Sequence, residues 1–188
     1  TKCWTAMPRT RSHALPLPPV GMEGAVKGDI VFDGYRPGVI GQIIGLHMQY
    51  YTPHWNFGLQ FEAGLARDMG AFFPRFDATR DFFVSAYDST GNLAGAIALD
   101  GIDLATSGAH LRWFITSDAM RGRGLGRELM KQADTFLNEN RYDRVWLTTF
   151  AGLDAARKLY EDFGFRLTVE EASDPWSGTV GLQRFERG

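Results

Sequence analysis

The chain has 188 residues and a mass of 21.0 kDa, enough for one domain with a buried core, and its 44% hydrophobic and 22% charged residues make a globular composition. A formal net charge of -2 and a pI near 6.1 exclude the strong basic excess of a dedicated nucleic-acid binder. A single cysteine, Cys3, excludes an internal disulfide framework, and the scattered His13, His47, His54 and His110 form no cluster at metal-ligand spacing.

No stretch reaches the ~20 apolar residues of a membrane span. No membrane partner, no metal and a reducing, cytoplasmic location are therefore expected. Residues 1–27, TKCWTAMPRTRSHALPLPPVGMEGAVK, carry clustered prolines and no apolar periodicity. They also lack the continuous apolar core, roughly 7 to 15 residues long, of a signal peptide. They read as an extension without assigned function, and residues 28–188 as the functional domain.

In chain order, IVFDGYR (30–36) reads as a strand ended by Pro37-Gly38. VIGQIIGLHMQYY follows with Ile40, Ile43, Ile44, Met48 and Tyr51 at helical spacing, and Pro53 is expected to stop that helix. Phe57, Phe61, Leu65 and Met69 predict a second helix, ended by Pro74. Its glycines at 58, 64 and 70 weaken it, at about 1 kcal/mol each against alanine. DFFVSAY (81–87) and LAGAIAL (93–99) predict two strands around a hairpin turn at 88–92, and AHLRWFIT (109–116) predicts another. Leu125, Leu129, Ala133, Phe136 and Leu137 mark a helix face, and RVWLTTF (144–150) a strand. LDAARKLYEDFGF reads as a helix with Gly164 at its C-cap, before the terminal strands FRLTVEE and TVGLQRFE. The order β-α-α-β-β-β-α-β-α-β-β points to an α/β (α+β) domain, a mixed sheet with helices on both faces.

Between the strand at 109–116 and the helix from 125 lies Arg121-Gly122-Arg123-Gly124-Leu125-Gly126. Three meanings are open: a flexible turn, a basic patch or a phosphate cradle. A helix start leaves N–H groups unpaired and carries partial positive charge, and glycines let the main chain approach an anion. Arg121, Arg123 and Arg127 could add charge-assisted bonds to phosphate oxygens. A P-loop lysine followed by Ser or Thr is absent, and the spacing is not that of a dinucleotide fingerprint on a first βα turn.

Arg121-x-x-Gly124-x-Gly126 resembles the Q/R-x-x-G-x-G/A pyrophosphate motif of the GCN5-related N-acetyltransferase (GNAT) superfamily. Leu159-Tyr160-Glu161-Asp162-Phe163-Gly164-Phe165 is similar to that family's LYxxxGF segment, and the element order is also that of the family. LRWF, RGRGLG and LDAARKLYEDFGF most resemble the acetyltransferase half of proteins that join a MarR-type regulator to a GNAT domain. The chain has no room for the DNA-binding half, so a stand-alone relative is expected, with no nucleic-acid partner.

The resemblance implies acetyl-CoA as co-substrate, held between the strands at 109–116 and 144–150. Main-chain groups of Phe114, Ile115 and Thr116 would pair with the pantetheine arm. The loop of Arg121, Gly122, Arg123, Gly124, Leu125, Gly126 and Arg127 would hold the pyrophosphate, through N–H groups from Arg123 to Arg127. The implied reaction is direct acetyl transfer to a primary amine on a small amine, an amino acid or a peptide. A non-catalytic acetyl-CoA or CoA sensor is the alternative.

Tyr160 matches the family tyrosine whose hydroxyl lies near the sulfur, which makes it the candidate acid. His110 stands where some members place a catalytic glutamate. Strand alternation puts it on one side with Arg112 and Phe114, opposite Leu111, Trp113 and Ile115. Ordered water is the other source of a base. Leu153 replaces a pantetheine-contacting asparagine, with Thr149 or Asp154 as possible substitutes. Tyr50, Tyr51, His54 and Trp55 could line an acceptor pocket, Asp100 and Asp103 could draw in a cationic amine, and a homodimer through the last strands is possible.

Overall fold

The computed structural model describes residues 30–188, so the expectations for residues 1–27 and for a domain start at 28 lie outside the described residues. The elements follow the expected order: β1 (Val31–Asp33), α1 (Val39–Trp55), α2 (Leu59–Phe72), β2 (Phe82–Tyr87), β3 (Leu93–Asp100), β4 (Ala109–Thr116), α3 (Leu125–Glu139), β5 (Val145–Phe150), α4 (Asp154–Asp162), β6 (Arg166–Glu171) and β7 (Leu182–Arg187). Short 3-10 turns at Phe73–Arg75 and Asp118–Met120 follow α2 and β4.

One seven-stranded sheet runs β1-β2-β3-β4-β5-β7-β6. Every neighbouring pair is antiparallel except β4 and β5. Two apolar layers cover the sheet. Val39, Ile43, Met69 and Phe72 of α1 and α2 pack with Trp113 and Ile115 on one face. Leu125, Leu129, Ala133 and Leu137 of α3 pack on the other, with Tyr160 and Phe165. Among the described residues, no helix is long and apolar enough to cross a membrane.

Four details differ from the sequence expectation. The first strand spans only Val31–Asp33, and the last starts at Leu182 instead of 179. Helix α1 continues through Pro53 to Trp55. A proline there removes one N–H donor from the last turn, and Asn56, left-handed at φ 54°, closes that turn with its N–H on the Thr52 carbonyl at 2.9 Å. Phe57 is buried but precedes α2, which starts after Gly58.

The fourth difference concerns β4. Ala96 pairs with Ile115 and Ala98 with Arg112, so β4 carries one residue more than β3 across this step. Trp113 takes φ 52°, left-handed backbone that costs a bulky residue of order 1–3 kcal/mol. Such a bulge re-aims the side chains beyond it. Phe114 is turned to the α3/α4 face, beside Tyr160, while Arg112 and Trp113 both face α2. The expected grouping of His110, Arg112 and Phe114 on one side therefore fails at Phe114.

Candidate active site

Strands β4 and β5 pair only at Ala109↔Val145 and His110↔Trp146. Beyond those rungs the ladder stops, and a cavity of about 620 Å³ opens between the C-terminal end of β4 and α4. Phe114, Ile115 and Thr116 form one wall, Leu153, Asp154 and Tyr160 the other, and the glycine loop closes an end.

That end is a helix N-terminus with its donors exposed. Gly124 is the N-cap of α3 at φ 87° and supplies no side-chain cap, and Gly122 is also left-handed at φ 72°. The first helical bond runs from the Glu128 N–H to the Gly124 carbonyl at 3.0 Å. Among the described residues, the N–H groups of Gly124, Leu125, Gly126 and Arg127 have no backbone partner. Arg123 departs from the expectation: its N–H donates to the Met120 carbonyl at 3.2 Å, closing the turn. Neither it nor the fully buried Leu125 side chain lines the cavity.

Of the three arginines, Arg121 pairs with Asp118 at 2.6 Å and Arg127 with Asp162, all on the surface, while Arg123 is exposed. Gly126 lies flat against β4, where an added Cβ would meet Phe114 Cζ at 3.4 Å and Thr116 Cγ2 at 3.8 Å.

A smaller cavity of about 170 Å³ lies beyond the first, beneath α1 and α2. The two share Tyr51, Phe114 and Tyr160. The Tyr160 ring packs edge-on to Phe114 at 6.0 Å and near Phe185 at 5.9 Å. Burial pushes its phenol well above the usual tyrosine range, and the neighbouring Thr149 hydroxyl offsets this only in part.

His110 lines the smaller cavity with Tyr160, its ring stacked on Trp146 at 3.6 Å. Burial first, then the Arg112 and Arg184 charges, pull its pKa down to about 3, against an opposing pull from Asp100. The imidazole is therefore neutral near pH 7. His47 also faces this cavity from α1, its Nδ1–H donating to the Ile43 carbonyl at 2.9 Å. Burial lowers its pKa to about 4 despite that bond.

A model of the acetyltransferase (GNAT) family matches residues 42–165, well over half of the chain. The chain belongs to the GNAT acetyltransferase family. It is an acyltransferase of a family that uses acetyl-CoA as co-substrate. No curated protein matches its sequence.

Solved GNAT folds superpose on it closely despite low identity. A GNAT-family acetyltransferase from Staphylococcus aureus is 18% identical with a TM-score of 0.66, covering 85% of this chain and 98% of its own. The ribosomal-protein-S18-alanine N-acetyltransferase of Escherichia coli is 14% identical with a TM-score of 0.64, covering 85% and 93%. A dodecameric spermidine N-acetyltransferase from Vibrio cholerae is 17% identical with a TM-score of 0.60, covering 84% and 92%.

Within this GNAT domain the expected site residues fall into two groups. Phe114, Ile115, Thr116, Arg121, Gly122, Gly124, Gly126, Arg127 and Tyr160 share the larger cavity, and His110 meets Tyr160 only at the smaller one. Leu153 and Asp154 line the larger cavity, whereas Thr149 lies on the smaller. Tyr50 and Tyr51 reach the larger cavity; His54 stacks on Tyr50 at 4.3 Å and Trp55 on Tyr51 at 5.3 Å, behind them. Asp100 is buried and held by Arg75 at 2.6 Å and Arg112 at 3.4 Å, and Asp103 lies in the following turn. Among the described residues no group of three or more His, Cys, Asp or Glu could hold a metal.

Sequence reasoning missed His47, Asp68 and Trp176, all on the smaller cavity. His47 was within reach, since Val39, Ile43, His47 and Tyr51 recur every four residues as the buried stripe of α1. Asp68 pairs with Arg112 across 44 positions, and Trp176 comes from a loop, so neither carries a local signal.

Proposed function

We propose that this protein moves an acetyl group from acetyl-CoA to a primary amine by direct attack. The observation that carries the proposal is the meeting of two cavities at Tyr160. The larger suits a long thioester co-substrate with an anionic end, because orphaned N–H groups and a helix dipole end face it at the glycine loop. The smaller one suits the acceptor.

Bound acetyl-CoA would supply the thioester, whose carbonyl carbon gains the amine nitrogen as its bond to sulfur breaks. The chain's residues would do the rest. The N–H groups of Gly124 to Arg127 would hold the pyrophosphate, with Arg121 and Arg127 exchanging their surface acids for it. Main chain of Phe114 to Thr116 would orient the arm along the open edge of β4. Tyr160 would give its proton to the departing sulfur and regain one from solvent.

The amine proton must leave on the acceptor side. His110 flanks that path, but a pKa of about 3 makes it a weak proton acceptor near neutrality. We therefore give the base role to water reaching the smaller cavity, with His110 as a neutral wall. By its quoted motifs, the acetyltransferase half of MarR-GNAT fusions is the kin we infer. A homodimer through the last strands is the assembly we infer, since β6 ends the sheet with mostly exposed side chains.

The test is release of CoA thiol from acetyl-CoA across a panel of primary amines, with the acetylated amine identified by mass spectrometry. Turnover of at least one amine is expected. Tight acetyl-CoA binding with no turnover across the panel would leave the sensor reading instead.

A further inference from the structure

We propose that the smaller cavity selects a small monoamine carrying an aryl body, and discriminates against polyamines and against amines that bear a carboxylate. This rests on the acetyl-transfer reading above and specifies its acceptor. Among the described residues, the groups that carry full charge around the cavity are one acid, Asp68, and one base, Arg112. They neutralise each other, with Arg112 Nη2 2.5 Å from Asp68 Oδ2. Asp100 lies behind them, only 3% exposed and already held by Arg75 and Arg112. The two histidines on the wall, His47 and His110, are neutral near pH 7.

A second ammonium group of a polyamine would find no unpaired carboxylate here. A carboxylate would find Arg112 already engaged by two acids. Burying either charge unpaired is costly, so both are disfavoured by the same arithmetic.

What the cavity offers beside its polar lining is one aromatic wall. Tyr51, Phe61, Phe150 and Trp176 form it, with Phe61 edge-on to Trp176 at 5.1 Å and Tyr51 edge-on to Phe150 at 5.4 Å. Trp176 keeps 37% of its surface exposed while its ring packs on Phe57, Phe61 and Phe150. His47 is buried, only 5% exposed. Its Nδ1–H is spent on Ile43, which leaves Nε2 as a lone-pair acceptor for a hydroxyl or N–H on the acceptor body.

Initial rates of CoA-thiol release with 2-phenylethylamine, spermidine and phenylalanine test this directly. We expect kcat/KM for 2-phenylethylamine to exceed the other two by about a hundredfold. Trp176→Ala should raise the KM for 2-phenylethylamine about tenfold while leaving the KM for acetyl-CoA unchanged. Spermidine or phenylalanine turned over as well as 2-phenylethylamine would overturn the inference and leave acetyl transfer standing. So would a Trp176→Ala variant whose two KM values rise together. No thiol release with any of the three, together with no heat stabilisation by acetyl-CoA, would remove the acetyl-transfer reading itself.

Discussion

Tyr160 keeps its proton because its ring is packed among Phe114, Phe165 and Phe185, away from water. A phenol so held can donate when charge builds on a nearby sulfur. Tyr160→Phe keeps the packing and removes the proton, so kcat should fall about a hundredfold with acetyl-CoA affinity little changed. Steady-state kinetics with separate determination of kcat and KM reads both. Gly126→Leu acts on the other half of the site. Its side chain would grow into Phe114 and the cavity, and should raise the KM for acetyl-CoA at least tenfold, roughly the effect of 1.4 kcal/mol. At this scale the placing of the glycine loop and Tyr160 on one cavity was legible, because each lies in a local motif of a few residues. The spent Arg123 N–H was not, because nothing in the sequence says which donors of a turn close it.

The strand and loop elements add constraints that single residues do not show. The bulge in β4 turns Phe114 toward Tyr160, and without it Phe114 would share the face of Arg112. A period-two reading of AHLRWFIT cannot reveal that, since the extra residue exists only relative to β3. Pro53 misled for the complementary reason: a helix can lose one donor in its final turn when aromatic packing by Tyr51 and Trp55 holds that turn in place. The loop before β7 is organised by Asp174, whose carboxylate accepts from the N–H groups of Trp176, Ser177, Thr179 and Val180 and from the Ser177 hydroxyl. Burial alone would raise this carboxyl, but the Ser177 bonds and the other N–H donors outweigh it and hold it below the usual carboxylate range. A depressed pKa stabilises the fold above the unfolded value and is lost as pH falls through the folded one. Asp174→Ala should remove about 2 kcal/mol and lower Tm by roughly 4–8 °C. The amine KM should rise as well, because Trp176 loses its anchor. Calorimetry and amine kinetics on the same variant check the two effects.

Over the whole molecule, the element order, the mixed sheet and the helices on both faces were all legible, because each element has its own apolar period. The pairing of the two cavities was not, since it depends on where β4 and β5 part. Stability should carry the signature of the buried histidines. His47 falls from 6.5 unfolded to about 4 folded, so the unfolded chain takes up a proton first as pH drops. The native state should therefore lose roughly 3 kcal/mol progressively between pH 6.5 and 4 from this residue alone. Thermal melts across that range read the loss, and a melt independent of pH there would contradict neutral burial. The central claim is that acetyl-CoA occupies the cleft between β4 and β5 with its pyrophosphate on the glycine loop. A thermal shift with acetyl-CoA, run on the wild-type protein and on Gly126→Leu, tests it most directly. At a hundred times Kd the wild type should gain about 2.7 kcal/mol and roughly 5–10 °C in Tm, and Gly126→Leu should gain much less. A wild-type Tm that does not move at millimolar acetyl-CoA would contradict the account.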